Sequence, residues 1–432
     1  MHLFKLFLSV VFTITSSAVF SALTEAALKD AEAIKVGIQP KFWINSKTPE
    51  LSTLKERMAA LNIPAVSIAF MESHKISWTL AEGVVDLVSQ RKIDKNTVFQ
   101  AVSISKPVFA TALLKYREEQ GLNLDSDVNK LLKSWQFPRH KWSKFSSGTL
   151  RRLLSDSAGV TVHGFKGYAA GESVHSIINV LKGAVSANTM ANFVDIEPST
   201  VLRNSSGEST LTRLVLQDLS RIPLSALTKT LTFDPLGMDH NSYSQPLSEQ
   251  LAKNAAVPYR SNGLPVTGGA HSYATFAAAG LWTTPSDLLK LASKIQNRYQ
   301  DHDKSLISNK TVTEMLMPQI ESMGISFFLE KQDDIVTSFS HAGANNGFRA
   351  NLFIHPQTGD GIAIMTNSDN GGMLINDLLS RINEVYGWNE FSQIEKNVTV
   401  LKPKLRQLII GENKVREPIQ STVVLMAEGE QF

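Results

Sequence analysis

The chain has 432 residues, of which 43% are hydrophobic and 19% charged, with a formal net charge of +3 and no cysteine. This length accommodates one large or two ordinary domains with a substantial core. The small, scattered charge gives no support for nucleic-acid binding. The lack of cysteine excludes disulfides, thiolate metal sites and cysteine nucleophiles.

Residues 1–22 have the order of a secretory signal peptide. Lys5 precedes an apolar run that ends at Ile14, and small residues follow. The apolar run is short for a membrane span, so we predict cleavage near Ala18 or Ala22; the alternative is an uncleaved membrane anchor. Export without disulfides favours a periplasmic or secreted location.

The elements predicted after the leader place strands near both ends of the main domain and helices between them. Residues 23–54 are interpreted as a linker and N-terminal segment. Apolar patterns predict strands over residues 65–71, 76–80, 324–329, 335–340, 348–355 and 362–366. Asp360-Gly361 is interpreted as the hairpin turn before the last of them. Helical spacing predicts helices from residue 103 onward and over residues 149–156, 208–221, 285–299 and 373–386. We therefore predict an α/β fold of the α+β type, in which an antiparallel sheet is flanked by helices and carries an inserted all-helical region.

The most informative feature is the Ser-x-x-Lys pattern of Ser103 and Lys106, at the start of a predicted helix with one buried face. A serine hydroxyl needs a neighbouring group to take its proton, and residues three apart on a helix share a face. Lys106 is therefore the predicted proton acceptor of Ser103. The N–H groups at a helix start would also favour an oxyanion. A second copy of the pattern, at residues 52–55, is interpreted as solvated surface.

Several segments accompany this pattern along the chain. They include Leu153 to Gly159, Asp234 to Met238, Gly280 to Pro285 and His341 to Phe348. Together these motifs resemble the serine β-lactamase and penicillin-binding-protein superfamily, in the branch of class C β-lactamases, D-alanyl-D-alanine carboxypeptidases and related esterases. The resemblance extends from about residue 55 to 387 and implies a β-lactamase/transpeptidase-like fold. It places the hydrolase domain at residues 55–390, followed at 391–432 by a linker and a truncated C-terminal β segment.

The resemblance also implies roles for individual residues. Ser103 would attack a carbonyl and become acylated, with Lys106 as its proton partner. His341 and Gly343 match the His-x-Gly form of the third motif, although His341 could instead be a hydrogen-bonded strand-end histidine. The N–H groups of Ser103 and Ala344 would form the oxyanion hole. Gly343, Ala344 and Asn346 are thus expected on the oxyanion and substrate-binding side.

The second motif departs from the family pattern. Relatives carry a proton-shuttling tyrosine where this chain has Asn204, and an amide neither gives up nor accepts a proton at working pH. Three interpretations follow. Lys106 and His341 handle protons in a slow enzyme; or Ser205 replaces the tyrosine; or the protein does not turn over and binds cell-wall peptides.

The sequence therefore predicts an exported serine hydrolase that cleaves a small ester or amide, either a D-amino-acid peptide, a β-lactam or a short acyl ester. The alternative is a non-catalytic binding protein of the same fold. We expect a small-molecule or peptide substrate, no cofactor, no metal and no nucleic acid. Membrane association is expected only if the leader is retained. The oligomeric state is left open.

Overall fold

A computed structural model describes residues 25–44, 49–144, 148–300 and 306–396 of the chain. The helices are α1 (residues 25–34), α2 (Leu54–Ala60), α3 (Ser105–Gln120), α4 (Val128–Leu131), α5 (Leu150–Leu154), α6 (Ile177–Lys182), α7 (Ser206–Ser220), α8 (Leu224–Thr228), α9 (Asp234–Leu236), α10 (Glu249–Ala252), α11 (Phe276–Ala279), α12 (Pro285–Tyr299), α13 (Asn309–Met315) and α14 (Gly371–Tyr386). A 3₁₀ turn spans Val102–Ile104 and a π-helical turn spans Lys229–Phe233. The strands are β1 (Phe42–Ile44), β2 (Ala65–Glu72), β3 (Lys75–Gly83), β4 (Phe99–Gln100), β5 (Trp282–Thr283), β6 (Phe328–Gln332), β7 (Ile335–Asn345), β8 (Phe348–His355), β9 (Asp360–Thr366) and β10 (Ile394–Lys396).

A six-stranded antiparallel sheet of order β3-β2-β9-β8-β7-β6 forms the centre of the fold. Its strands come from both ends of the domain, as the sequence predicted. Successive side chains of a strand point to opposite faces. Along β2, Val66 and Phe70 accordingly pack with the terminal helices, whereas Ala65 and Ala69 pack with the helical region. Both faces of the sheet are therefore buried.

The segment predicted as a linker, residues 23–54, is largely part of the domain. It contains α1, and Ala31, Ile34 and Ile38 are buried in the same cluster as α2 and α14. Its β1 pairs in parallel with β10. The prediction interpreted this segment as a polar linker, but its buried apolar residues pack with α2, α14 and the sheet.

Helix α3 is buried more completely than the sequence predicted, which was burial of one face. Its first ten residues, Ser105 to Leu114, are all buried, because α3 packs against α8, α11 and the π-helical turn. A helix surrounded in this way is typical of the core of a large domain. Helix α12 begins at Pro285, as predicted, and Thr284 caps it by accepting the Asp287 N–H at 3.2 Å.

Two predicted boundaries at the end of the sheet were wrong. The strand predicted over 324–329 begins only at Phe328, because residues 320–327 form bridges and a turn before it. The turn predicted at Asp360-Gly361 lies at residues 356–359, and both residues belong to β9, where they pair with His355 and Ile354.

Within the described part of the chain, no helix combines the length and apolar character needed to cross a membrane. The predicted signal peptide at 1–22 lies outside the described residues. Most of the predicted C-terminal segment, from residue 397 onward, also lies outside them.

Candidate active site

Ser103 lies in a tight turn between β4 and α3. The preceding residue, Val102, has a φ of 54°, a left-handed conformation that costs a β-branched residue about 1–3 kcal/mol and often occurs at active sites. Ser103 is partly exposed, whereas its neighbours Val102 and Ile104 are buried. The strained turn thus presents one hydroxyl to the surface of an otherwise buried segment.

Two neighbouring segments hold this turn in place. The hydroxyl of Ser105 accepts the Leu281 N–H at 3.0 Å, and the Tyr243 hydroxyl donates to the Ser105 carbonyl at 2.6 Å. The Ala101 N–H donates to the Leu281 carbonyl at 2.8 Å. The loop before β5, which the sequence singled out by its small residues, therefore braces both sides of Ser103.

Lys106 is buried, with 3% of its side chain exposed. Its Nζ donates to the side-chain oxygen of Asn204 at 2.6 Å and to Oδ2 of Asp156 at 3.2 Å. The structure thus brings together the Ser-x-x-Lys pattern and Asn204 of the predicted second motif. The amide of Asn204 directly contacts the predicted proton acceptor.

Asp156 was not singled out by the sequence analysis. It is buried and has a φ of 51°, a conformation that Asp tolerates better than most residues. Its Oδ1 accepts the Ser205 N–H at 3.2 Å and its carbonyl accepts the Arg203 N–H at 2.8 Å. Asp156 therefore holds both neighbours of Asn204. The feature of the sequence that could have indicated Asp156 is its position inside the motif segment from Leu153 to Gly159.

Glu208 is a second buried carboxyl group beside this cluster, and it was also missed. It is fully buried, and its oxygens accept the N–H groups of Val160 at 3.1 Å and Ala158 at 3.3 Å. Burial, and next the charge of Asp156, raise the pKa of Glu208 well above its usual value. The spacing of Ser205 and Glu208 is that of a capping box. In a capping box the Glu208 side chain would accept the Ser205 N–H. Here Oδ1 of Asp156 accepts that N–H, and Glu208 accepts the N–H groups of Ala158 and Val160 instead.

Ser205 does not fit the predicted role of a replacement for the tyrosine. Its side chain is buried and caps α7 by accepting the Glu208 N–H at 3.3 Å. Its hydroxyl donates to the Thr161 carbonyl at 3.0 Å. Because Ser205 is fully buried and its proton is donated to a backbone carbonyl, its geometry is that of a helix cap rather than of a substrate-facing proton shuttle.

His341 is 2% exposed, and its Nδ1 lies 2.7 Å from the Ala342 carbonyl. Because a carbonyl only accepts, Nδ1 carries the proton and Nε2 has a free lone pair. Burial, assisted by the charge of Lys106, lowers the pKa of His341 to about 3. The imidazole is therefore neutral over the working pH range. It can accept a hydrogen bond at Nε2 but does not supply a positive charge.

Strand β7 forms the wall opposite the Ser103 turn. Its pairing with β6 ends at Ser340, so in the sheet the segment from His341 to Asn345 pairs only with β8. A Cβ added at Gly343 would lie 2.7 Å from the Val102 Cβ and 2.8 Å from the Ser103 N. Only a glycine allows this approach. This approach places the Gly343 backbone close to the backbone of Ser103. The next residue, Ala344, is the second predicted oxyanion donor.

A cavity of about 690 Å³ adjoins β7 at Ala344, Asn345 and Asn346. The predicted binding residue Asn346 accepts from Nη1 of Arg260 at 3.0 Å. The charged residues of the lining are Lys166, Glu172, Arg260, Arg349 and Asp369. Cationic side chains outnumber carboxylates three to two in this lining, which favours a ligand with negative charge. In the described residues, no group of three or more His, Asp or Glu side chains is placed to hold a metal ion.

Residues 52–384 match the profile of the Beta-lactamase family. Protein flp of Staphylococcus aureus strain MRSA252 is 23% identical over 335 residues, which are 75% of this chain and 63% of that protein. The chain thus spans less than two thirds of the length of this curated relative.

Two solved structures show the same fold at low sequence identity. EstCE1, a hydrolase with promiscuous acyltransferase activity, is 16% identical with a TM-score of 0.64 over 84% of this chain and 99% of EstCE1. The D-amino acid amidase from Ochrobactrum anthropi SV3 is 17% identical with a TM-score of 0.60 over 77% of this chain and 96% of the amidase. Both likenesses confirm the predicted class of fold.

Proposed function

Because the chain belongs to the Beta-lactamase family, we propose that it is an exported serine hydrolase that forms an acyl-enzyme on Ser103. The observation that carries this proposal is the buried contact of Lys106 with Asn204 and Asp156, three residues from a partly exposed serine. A lysine held in this way is a proton acceptor with a defined position.

In the proposed reaction, Oγ of Ser103 attacks the substrate carbonyl as its proton passes to Nζ of neutral Lys106. The carbonyl oxygen becomes an oxyanion between the N–H groups of Ser103 and Ala344, a type of donor worth about 3 kcal/mol each. Lys106 returns the proton to the leaving nitrogen or oxygen as the bond to carbon breaks. Water then cleaves the acyl-enzyme by the same steps in reverse order.

The lining of the 690 Å³ cavity favours some substrates over others. Arg260 and Arg349 lie there and, in the described residues, share one carboxylate, that of Asp369, at 3.4 Å from each guanidinium. A D-amino-acid peptide and most β-lactams carry a carboxylate, whereas a short acyl ester does not. We therefore place the first two ahead of the ester as substrates. The amidase of similar fold is consistent with an amide substrate.

The acyl-enzyme is tested by intact-protein mass spectrometry after exposure to a fluorophosphonate and, separately, to a penicillin. Ser103→Ala is the essential comparison, and Ser52→Ala is the matched control because Ser52 belongs to the second Ser-x-x-Lys pattern. We expect one adduct per molecule in the parent and in Ser52→Ala, and none in Ser103→Ala. The rate at which the penicillin adduct is lost measures turnover.

A specific observation favours the second function, a non-catalytic binder of cell-wall peptides. The tyrosine position holds an amide, and the neighbouring Ser205 is engaged as a helix cap. No adduct with either probe on folded protein would reject the hydrolase and favour the binder. An adduct that forms but is never lost would indicate acylation without turnover.

The preference for an anionic substrate is tested with a D-amino-acid dipeptide and the same dipeptide amidated at its C-terminus. A charge-assisted hydrogen bond contributes about 1.5–3 kcal/mol. Arg260→Gln should therefore raise the KM of the free dipeptide about tenfold or more and leave that of the amidated dipeptide nearly unchanged. Arg91→Gln, a change away from the cavity lining, is the control. Equal KM values for the two dipeptides in the parent would contradict the preference.

A further inference from the structure

A buried carboxylate, that of Asp156, contacts Lys106, the side chain that is proposed to activate Ser103. Oδ2 of Asp156 is 3.2 Å from Nζ of Lys106, with 7% of the Asp156 side chain exposed. Its Oδ1 accepts the Ser205 N–H at 3.2 Å. One carboxylate thus connects the proton acceptor to the segment that carries Asn204.

The chemistry at Lys106 creates a need for such a group. When Lys106 takes the Ser103 proton, it becomes an ammonium ion in a buried site, which is costly without a partner of opposite charge. The other partner of Nζ is the Asn204 amide, which offers only a dipole. Asp156 is the charged group bonded to Nζ at this point.

We propose that Asp156 is a positioning residue of the reaction, so that Ser103, Lys106 and Asp156 act as nucleophile, proton acceptor and counter-ion. This inference rests on the proposed function. The proton leaves Oγ of Ser103 as the bond to the carbonyl carbon forms, and it binds to Nζ of Lys106. The carboxylate of Asp156 remains ionised throughout, orients Nζ and stabilises the ammonium ion. The leaving group receives the proton when the tetrahedral intermediate collapses.

In the described part of the chain, Asp156 is the carboxylate that forms an ion pair with Lys106. From α7, Glu208 is fully buried and accepts two backbone N–H groups, and burial raises its pKa, which disfavours its charged form. From β7, His341 is neutral because its pKa is lowered to about 3. These two groups and Asp156 are the titratable side chains that face Lys106 from the loop after α5, from α7 and from β7.

This arrangement predicts a particular dependence on pH. A carboxylate bonded to an amine favours the ammonium form over the neutral form that accepts a proton, and Asp156 is bonded to Nζ of Lys106. Removing the negative charge should let the neutral form appear at lower pH. An opposite charge at this distance commonly shifts a titration by about 1–3 units. The same change should lower the rate at high pH, because the ammonium ion loses its partner.

The experiment measures the rate of fluorophosphonate labelling from pH 5 to pH 10 for the parent, Asp156→Asn and Glu208→Gln, with Ser103→Ala as blank. Asparagine fits the left-handed conformation at position 156 and still accepts the Ser205 N–H. Glutamine at 208 removes the second carboxyl group and keeps one of its two acceptor bonds. Circular dichroism melts check that each variant is folded.

In Asp156→Asn, we expect the pH of half-maximal rate to fall by about one unit or more and the maximal rate to fall at least about tenfold. In Glu208→Gln, the half-maximal pH should equal that of the parent. A rate in Asp156→Asn that is lowered by the same factor at every pH would overturn the inference and leave a structural role. A shift in Glu208→Gln as large as in Asp156→Asn would also overturn it, because two counter-charges would then be present. No labelling of the parent at any pH would reject the proposed function and the role of Asp156 together.

Discussion

The side-chain oxygen of Asn204 accepts a 2.6 Å hydrogen bond from Nζ of Lys106. Asn204, which the resemblance predicts to stand where relatives carry a tyrosine, is therefore in direct contact with the proposed proton acceptor. An amide oxygen accepts hydrogen bonds without transferring protons. The backbone supports this location, since Nδ1 of His163 donates to the Asn204 carbonyl at 2.9 Å.

Restoring a phenol at this position should therefore raise turnover. We expect Asn204→Tyr to increase kcat for an amide substrate at least about tenfold, a modest part of what a general acid–base group contributes. The matched control is Asn204→Phe, which adds the same ring without the hydroxyl and should be no faster than the parent. A tyrosine variant no faster than the phenylalanine variant would mean that proton transfer at this position does not limit the reaction.

The close approach of β7 to the Ser103 turn should depend on Gly343. A methyl group there would lie 2.7 Å from the Val102 Cβ and 2.8 Å from the Ser103 N, so the strand and turn must separate. Displacements of about 1 Å in an active site commonly cost about a hundredfold in rate, and we expect that loss of fluorophosphonate labelling for Gly343→Ala. The control is Gly372→Ala, since Gly372 in α14 has open space around its Cβ position. It should leave labelling unchanged, and labelling at the parental rate in Gly343→Ala would contradict the proposed geometry.

The buried neutral His341 should make the protein less stable in acid. Its pKa is lowered to about 3 in the folded state, whereas the unfolded chain has an ordinary histidine pKa near 6.5. Below the unfolded value, the unfolded state binds more protons, so stability falls as pH decreases from about 6.5 toward 3. From pH 7 to pH 5, the loss attributable to this one group is about 2 kcal/mol.

His341→Gln should remove this contribution while keeping a neutral polar side chain. Urea unfolding of the parent and the variant at pH 7 and pH 5 gives the double difference, in which other titrating groups cancel. We expect the parent to lose about 2 kcal/mol more than the variant between the two pH values. Equal losses would mean that His341 is protonated in the folded protein.

Helix α1 should contribute to stability although its sequence is rich in charge. Ile34 is fully buried against the sheet, whereas Leu28 on the same helix is 62% exposed. Truncation of a buried isoleucine to alanine typically costs about 2–5 kcal/mol, and surface changes stay within about 0.5 kcal/mol. Chemical denaturation of Ile34→Ala and Leu28→Ala should show this contrast. Similar small losses in both would mean that α1 is not part of the folded domain.

Much of the fold follows from local patterns in the chain. The strands around residues 65–80 and 335–366 and the helices near 206–220, 285–299 and 371–386 lie where apolar periodicity predicted them. Periodicity is readable because each element buries a face against the core. At Phe328 the apolar pattern begins in the bridges and turn that precede the strand, whereas at Asp360 an Asp-Gly pair that usually indicates a turn lies inside the strand.

The burial of α1 could not be predicted from its composition. Its charged residues are as frequent as in a linker, and only the position of α14 and the sheet shows which side is covered. Whether a side chain is buried depends on segments distant in the chain, which a single sequence does not bring together. The same limit applies to α3, where the predicted single buried face became burial on all sides.

The sequence by itself determined the family, and its motifs predicted Ser103 as nucleophile, Lys106 as its partner, Asn204 in the altered motif and Gly343 in the third motif. These residues lie in recognisable local motifs. Only the tertiary structure decided that Asp156 and Glu208 belong to the same cluster and that Ser205 is a helix cap. Acidic residues in loops are common in any sequence. What distinguishes these two is burial beside Lys106, which arises from three segments about 50 residues apart along the chain.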